Sequence, residues 1–302
     1  MKLVPTIFIG CCILFFSGCD MEIEKGVMKS DLSKDVELIT DYGTIIFRLS
    51  DETPKHRNNF IKLVNQKAYN NVSFHRVIEN FLIQTGDMAT KYPESKIQDS
   101  TSEPSYMIDA EIKSNLLHKR GSINAARMGD DQNPDRSSDG TQFTIIQGKI
   151  YNDSTLAIAE KRINNWLAYN NVINKPEHKT EFDKLLNLTN KLEAIQTSEN
   201  DTDSLSLKIM EDSINQLKNK FDSLAQTELQ IMEHYRFPES HREIYKTIGG
   251  AAHLDQNYTV FGQVVKGMDI VDSIARVETD HQDKPINDVK IISAKMIKRK
   301  TY

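Results

Sequence analysis

The chain has 302 residues, of which 27% are charged and 38% hydrophobic, and its formal net charge is −5. That length holds one large domain or two small ones, and the composition can build a real core. A mild negative charge with no long basic run excludes the basic face that nucleic-acid binding requires, so no nucleic-acid partner is expected. Lys295, Lys298, Arg299 and Lys300 form the one basic cluster, and it reads as a solvated C-terminal tail.

The N-terminus reads as an address rather than as fold. Lys2 precedes an apolar run from Ile7 to Phe16 that is short for a membrane span. Ser17-Gly18-Cys19 follows, and small residues directly ahead of a cysteine resemble the lipobox of bacterial lipoproteins. The resemblance implies a signal peptide over residues 1–18 and lipidation of Cys19. The expected location is then that of an exported lipoprotein, held to a membrane by its acyl chains and facing the periplasm or the cell surface. All three cysteines (Cys11, Cys12, Cys19) lie in this leader, so the folded part has no disulfide framework, thiol nucleophile or cysteine metal site.

Residues 19–34 are polar and read as a tether. Two β-rich runs, 36–40 and 44–49, flank Asp41-Tyr42-Gly43, a hairpin signal. Thr53-Pro54 opens a helix with threonine as N-cap and proline in the first turn; Phe60, Leu63 and Val64 supply its apolar stripe. Short strands are expected over 74–78, 82–84, 121–126 and 142–147, with mostly loop from 89 to 120. After a long interval come a strand over 258–265, a short helix over 267–275 and a last strand over 288–297. Many short strands with two short helices predict a mainly β protein built as a closed antiparallel barrel.

The interval is different in kind. Residues 152–246 contain no glycine and carry apolar residues at helical spacing, among them Ile158, Ile163, Trp166 and Leu167. They predict an all-α insertion of three or four helices, flanked by barrel segments at 35–151 and 247–302.

Three blocks carry the chemistry. Phe74-His75-Arg76-Val77-Ile78 with Phe81-Leu82-Ile83-Gln84-Thr85-Gly86-Asp87 is the first. Gly121-Ser122-Ile123-Asn124-Ala125-Ala126-Arg127 with Gly140-Thr141-Gln142-Phe143-Thr144-Ile145 is the second, and Leu254-Asp255-Gln256-Asn257-Tyr258-Thr259-Val260-Phe261-Gly262 the third. In this order they resemble the cyclophilin-type peptidyl-prolyl isomerases. The resemblance implies an eight-stranded antiparallel barrel and an enzyme acting on X–Pro bonds of proline-containing peptides and of exported proteins as they fold. It makes Arg76 and Gln84 catalytic. It assigns Phe81, Leu82 and Leu254 to an apolar proline pocket, and Ala125, Ala126, Gln142, Thr144 and Tyr258 to substrate binding. Thr144 stands where many members carry an aromatic ring, His253 where tryptophan is common, and Tyr258 where histidine is frequent.

The residue types suit the reaction. Resonance sets a rotation barrier of about 18–20 kcal/mol in a peptide bond. Twisting the bond returns charge to the proline nitrogen, and a fixed guanidinium nearby stabilises that state more than either planar form. No nucleophile, metal or cofactor is required. Asp131, Asn133, Asp135, Ser137 and Asp139 alternate like calcium ligands, but Arg136 and Gln142 stand where such a loop needs glycine and glutamate. A second reading keeps the barrel as a peptide-binding chaperone or scaffold that works through its helical insertion.

Overall fold

The computed structural model describes residues 20–91, 106–197 and 204–302, and Cys19 lies outside the described residues. The first elements are a small hairpin of β1 (Glu22–Glu24) and β2 (Val27–Met28), followed by a 3-10 turn, Lys29–Ser33. The segment read as a tether therefore packs from residue 22 onward. Val27 is its one fully buried apolar side chain and docks in the barrel core. Buried Asp31 accepts bonds from the Met28 amide and Asn65 and pairs with Lys34.

β3 (Lys34–Thr40) and β4 (Gly43–Leu49) form the expected hairpin, with Thr40 facing Gly43 across a two-residue turn. The Thr40 hydroxyl donates to the Gly43 carbonyl at 2.9 Å. Gly43 sits at φ 137°, and any Cβ there would strike Ile270. Helix α1 (Pro54–Asn65) begins at the proline, but the Thr53 hydroxyl makes no capping bond; the distant Glu111 carboxylate caps the first turn instead, accepting the Lys55 and His56 amides at 3.1 and 3.0 Å. β5 (Arg76–Ile78), β6 (Leu82–Thr85), β7 (Met107–Ile108), β8 (Ser122–Ala125), β9 (Ser138–Asp139) and β10 (Phe143–Ile146) follow. Four helices make the insertion: α2 (Asp153–Ile173), α3 (Lys179–Thr197), α4 (Ser204–Ile231) and α5 (Glu239–Thr247). β11 (Val260–Lys266), α6 (Met268–Ala275) and β12 (Ile291–Lys298) complete the chain.

Eight strands form one antiparallel sheet in the order β12-β3-β4-β11-β8-β10-β6-β5. Its two ends meet. Ser73 bridges to Lys290, the Phe74 amide donates to Val289 at 2.8 Å, and the Asn71 amide donates to Ile291 at 2.7 Å. The result is a closed barrel with few free edges. Inside it, the Phe60 ring meets Phe47, Tyr69, Phe143 and Phe261 at centroid distances of 4.9–5.5 Å. The basic tail is more than a solvated end: Arg299, with Arg48, pairs with the wholly buried Asp35.

Two cores hold the insertion, one its own and one shared with the barrel. Val172, Phe182, Leu185, Ile214 and Phe221 hold α2, α3 and α4 together. Leu156, Ile163, Phe237 and Tyr245 pack with Leu117 and Ala252 of the barrel, so α2 and α5 are cemented to it. Asn152 caps α2 by accepting from the Thr155 amide.

Candidate active site

Strand alternation places the site. Along β5, β6, β10 and β8, the side chains of Val77, Ile83, Phe143, Ile145, Ile123 and Ala125 turn into the barrel core. The residues between them must face outward, because successive side chains on a strand point to opposite sides. Two rows result. Register pairs Arg76 with Gln84, Gln84 with Thr144, and Thr144 with Asn124, giving a polar row across four strands. Two residues along, Ile78, Leu82 and Ile146 align as an apolar row.

The apolar row is the floor of a pocket. Leu82 and Ile146 are buried with Ala251 and Leu254, and Phe81, Tyr258 and Trp166 pack against them. The 3-10 turn Ala252–Leu254 delivers Leu254. Its neighbour Asp255 is clamped in place: it accepts from the His118 amide at 2.9 Å and the Tyr245 hydroxyl at 2.7 Å, and lies 2.8 Å from His118 Nδ1. The Phe81 ring stands 5.3 Å from His253. Burial, then Arg162, His118 and Lys149, push His253 down to about 4, so its ring is neutral at physiological pH.

The polar row holds the arginine. Arg76 has a side chain 41% exposed, with Nε 3.5 Å from Asp283 on the loop before β12. That loop is fixed to β5 by a 2.7 Å bond from the Val77 amide to the Asp283 carbonyl. Gln84 Nε2 donates to Gln142 Oε1 at 3.1 Å, and Gln142 Nε2 lies 3.3 Å from Asp139 Oδ2. Asp139 also accepts the Thr141 and Gln142 amides, so its carboxylate shapes this turn. Among the described residues, no three His, Cys, Asp or Glu side chains group as a metal site. His75, beside Arg76, is lowered by burial, and its Nδ1 has no partner, which suits a structural role.

The site residues named from sequence divide accordingly. Arg76, Gln84, Gln142 and Thr144 come together, as do Phe81, Leu82, Leu254 and Tyr258. Ala126 is half-buried beside Gln142, whose carbonyl accepts its amide at 3.0 Å. Ala125 differs: the period of two turns it into the core, so it backs the groove instead of lining it. Thr144 is buried, and its hydroxyl donates to Asn124 Oδ1 at 2.7 Å. Asn124 had no assigned role, yet register with Thr144 follows from its strand.

Other contributors come from afar. Arg127 lies 4.6 Å above the Tyr258 ring and donates to the Asn257 carbonyl at 2.7 Å. It shares Asp130 with Arg136, at 2.7 and 2.6 Å, all three side chains being about nine-tenths buried or more. Arg136 in turn donates to the carbonyls of Gln256 and Trp166, both at 3.1 Å. This triad therefore ties the loop over residues 128–139 to the pocket's rim and to helix α2. No local signal in the sequence announces it, except that Trp166 is the sole tryptophan.

The model of the cyclophilin type peptidyl-prolyl cis-trans isomerase family matches residues 35–218 and 238–296. The chain belongs to this family. A Staphylococcus haemolyticus protein that carries the provisional name of a peptidyl-prolyl cis-trans isomerase is 23% identical over 274 residues, 90% of this chain and 94% of that one. A peptidyl-prolyl cis-trans isomerase-like protein of Rhizopus delemar is 39% identical over 110 residues, 36% of this chain and 19% of its own. A crystal structure of a Cryptosporidium parvum cyclophilin type isomerase aligns with 88% of this chain and 99% of its own, at 16% identity and a TM-score of 0.47. As a family member, the chain is an enzyme of the prolyl isomerase class.

Proposed function

We propose that this cyclophilin isomerises X–Pro bonds in exported proteins, using Arg76 to stabilise the twisted amide while the proline ring sits over Leu82 and Leu254. The observation that carries this reading is the adjacency of the two rows. An accessible guanidinium lies two residues, roughly 7 Å, along the strands from an apolar floor. A proline ring on that floor presents its nitrogen toward the polar row. There Arg76 can donate a hydrogen bond that strengthens as the nitrogen pyramidalises, which lowers the barrier without stabilising either planar isomer. Gln84 and Gln142, already bonded to each other, keep their remaining donors and acceptors for the substrate backbone.

Exchange NMR or a protease-coupled assay on an X–Pro peptide tests the mechanism. Arg76→Ala is expected to lower kcat/KM by about 10²–10³-fold, the usual cost of removing one preorganised donor. An unchanged rate would refute the role of Arg76. The same reading places the barrel at a membrane surface through lipid on Cys19. Palmitate labelling that survives Cys19→Ala would rule that anchor out.

A further inference from the structure

Helix α2 runs past the mouth of the pocket, and one stripe of it faces there. Ile158, Arg162, Trp166 and Tyr169 recur at spacings of four, four and three, the repeat of a single helix face. Leu156, Ala159 and Ile163 are buried in the core shared with the barrel, which orients the helix. Two cavities lie along the stripe. One, of about 380 Å³, has Ile158 and Arg162 on the helix side and Phe81 and His253 on the barrel side. The other, of about 360 Å³, has Trp166 and Tyr169 opposite Tyr258 and Arg127. Phe81 and Tyr258 belong to the proline pocket itself, so the cavities are its continuations to either side.

We propose that α2 is the second wall of the substrate groove, with Trp166 a specificity-determining residue that favours extended segments bearing a bulky apolar or aromatic side chain next to the proline. This rests on the isomerase reading above and names the substrate class for the same groove. The eleven steps from Ile158 to Tyr169 rise about 16 Å along the helix, which matches roughly five residues of extended chain. The pocket floor of Leu82, Ile146, Ala251 and Leu254 is wholly aliphatic and offers no ring. Rings come instead from the walls: Phe81 and Tyr258 on the barrel, Trp166 on the helix. Trp166 is half-buried and preset. Arg136 holds its carbonyl, and the Arg162 guanidinium lies 4.7 Å over its ring. An aromatic wall fixed before binding loses little conformational freedom when a client side chain covers it.

Trp166 is the only tryptophan, so its emission reports directly on this wall. Two otherwise identical peptides, with Phe or Ala beside the proline, serve as probes for the full chain. The Phe peptide is expected to shift Trp166 emission saturably, at about tenfold lower concentration than the Ala peptide. Trp166→Ala should raise KM for the Phe peptide about tenfold, with a much smaller effect on kcat and on the Ala peptide, and Trp166→Phe should restore most of the loss. Turnover with unchanged wild-type emission, or equal KM effects on both peptides, overturns the inference and leaves the isomerase reading standing. Saturable emission change without turnover supports the second wall and overturns the isomerase reading.

Discussion

The barrel and the helical insertion hold their parts of the groove in different ways. On the barrel, Arg76, Gln84 and Thr144 are fixed by register: each is set by its strand, and the aromatic core around Phe60 keeps the strands in place. On the insertion, Trp166 is fixed by a charge cluster lying between two loops and a helix. The first kind of positioning is distributed over many small contacts, so losing one is tolerable. The second is concentrated in few, and one carboxylate serves two guanidiniums. The core that α2 and α5 share with the barrel seats the insertion, and this one charged point fixes Trp166 at the groove.

The largest expected effect comes from breaking that point. Asp130→Asn leaves Arg127 and Arg136 buried without their shared counter-charge, and burial already disfavours the charged form of Arg136. Removing one partner of a buried ion pair costs about 3–5 kcal/mol. Urea unfolding should register that loss, and Trp166 emission should move toward that of a solvated indole before the barrel unfolds. A single transition with native Trp166 emission up to its midpoint would show that docking does not depend on the triad.

Thr144→Val probes the barrel side in the same terms. Valine fills the space of threonine but cannot donate to Asn124, whose Oδ1 would be left buried and unpaired. The expected cost is about 1–3 kcal/mol in unfolding free energy. Because the polar row would otherwise stay in register, Trp166 emission should not change. A shift there would mean that floor and wall are coupled, and the contrast between the two regions would fail.

What the sequence made legible follows the same division. β-rich runs and turn signals located most of the barrel strands, because local patterning is written in neighbouring residues, while the site residues were named only through the family that the three ordered blocks resemble. Strand alternation should have turned Ala125 inward; reading it as groove-lining ignored the parity it shares with Ile123. The docking of the insertion was not legible. Asp130, Arg136 and Trp166 meet only through tertiary folding, and an aromatic in a helical apolar stripe looks the same whether it faces a core or a groove. Polar residues 22–33 likewise hid one buried anchor, Val27, whose partners lie on distant elements.

The smallest expected effect concerns pH and again lies where wall meets barrel. His253 sits between Phe81 and Trp166, and it is held down to about 4 from the ordinary histidine value of 6.5 by burial, with Arg162, His118 and Lys149 adding to it. His56 and His75 are lowered too, each chiefly by burial. Between pH 6.5 and about 4, the unfolded chain therefore binds protons that the folded chain refuses. Stability is full above 6.5 and falls as pH drops through this window. For His253, one pH unit below 6.5 should cost on the order of 1 kcal/mol. Urea unfolding at pH 7.5 and 5.5 reads the slope, and His253→Asn should flatten it by the share that His253 carries. If the slope is unchanged in that variant, the ring is not buried as a neutral group, and the junction between α2 and the proline pocket admits more water than its packing implies.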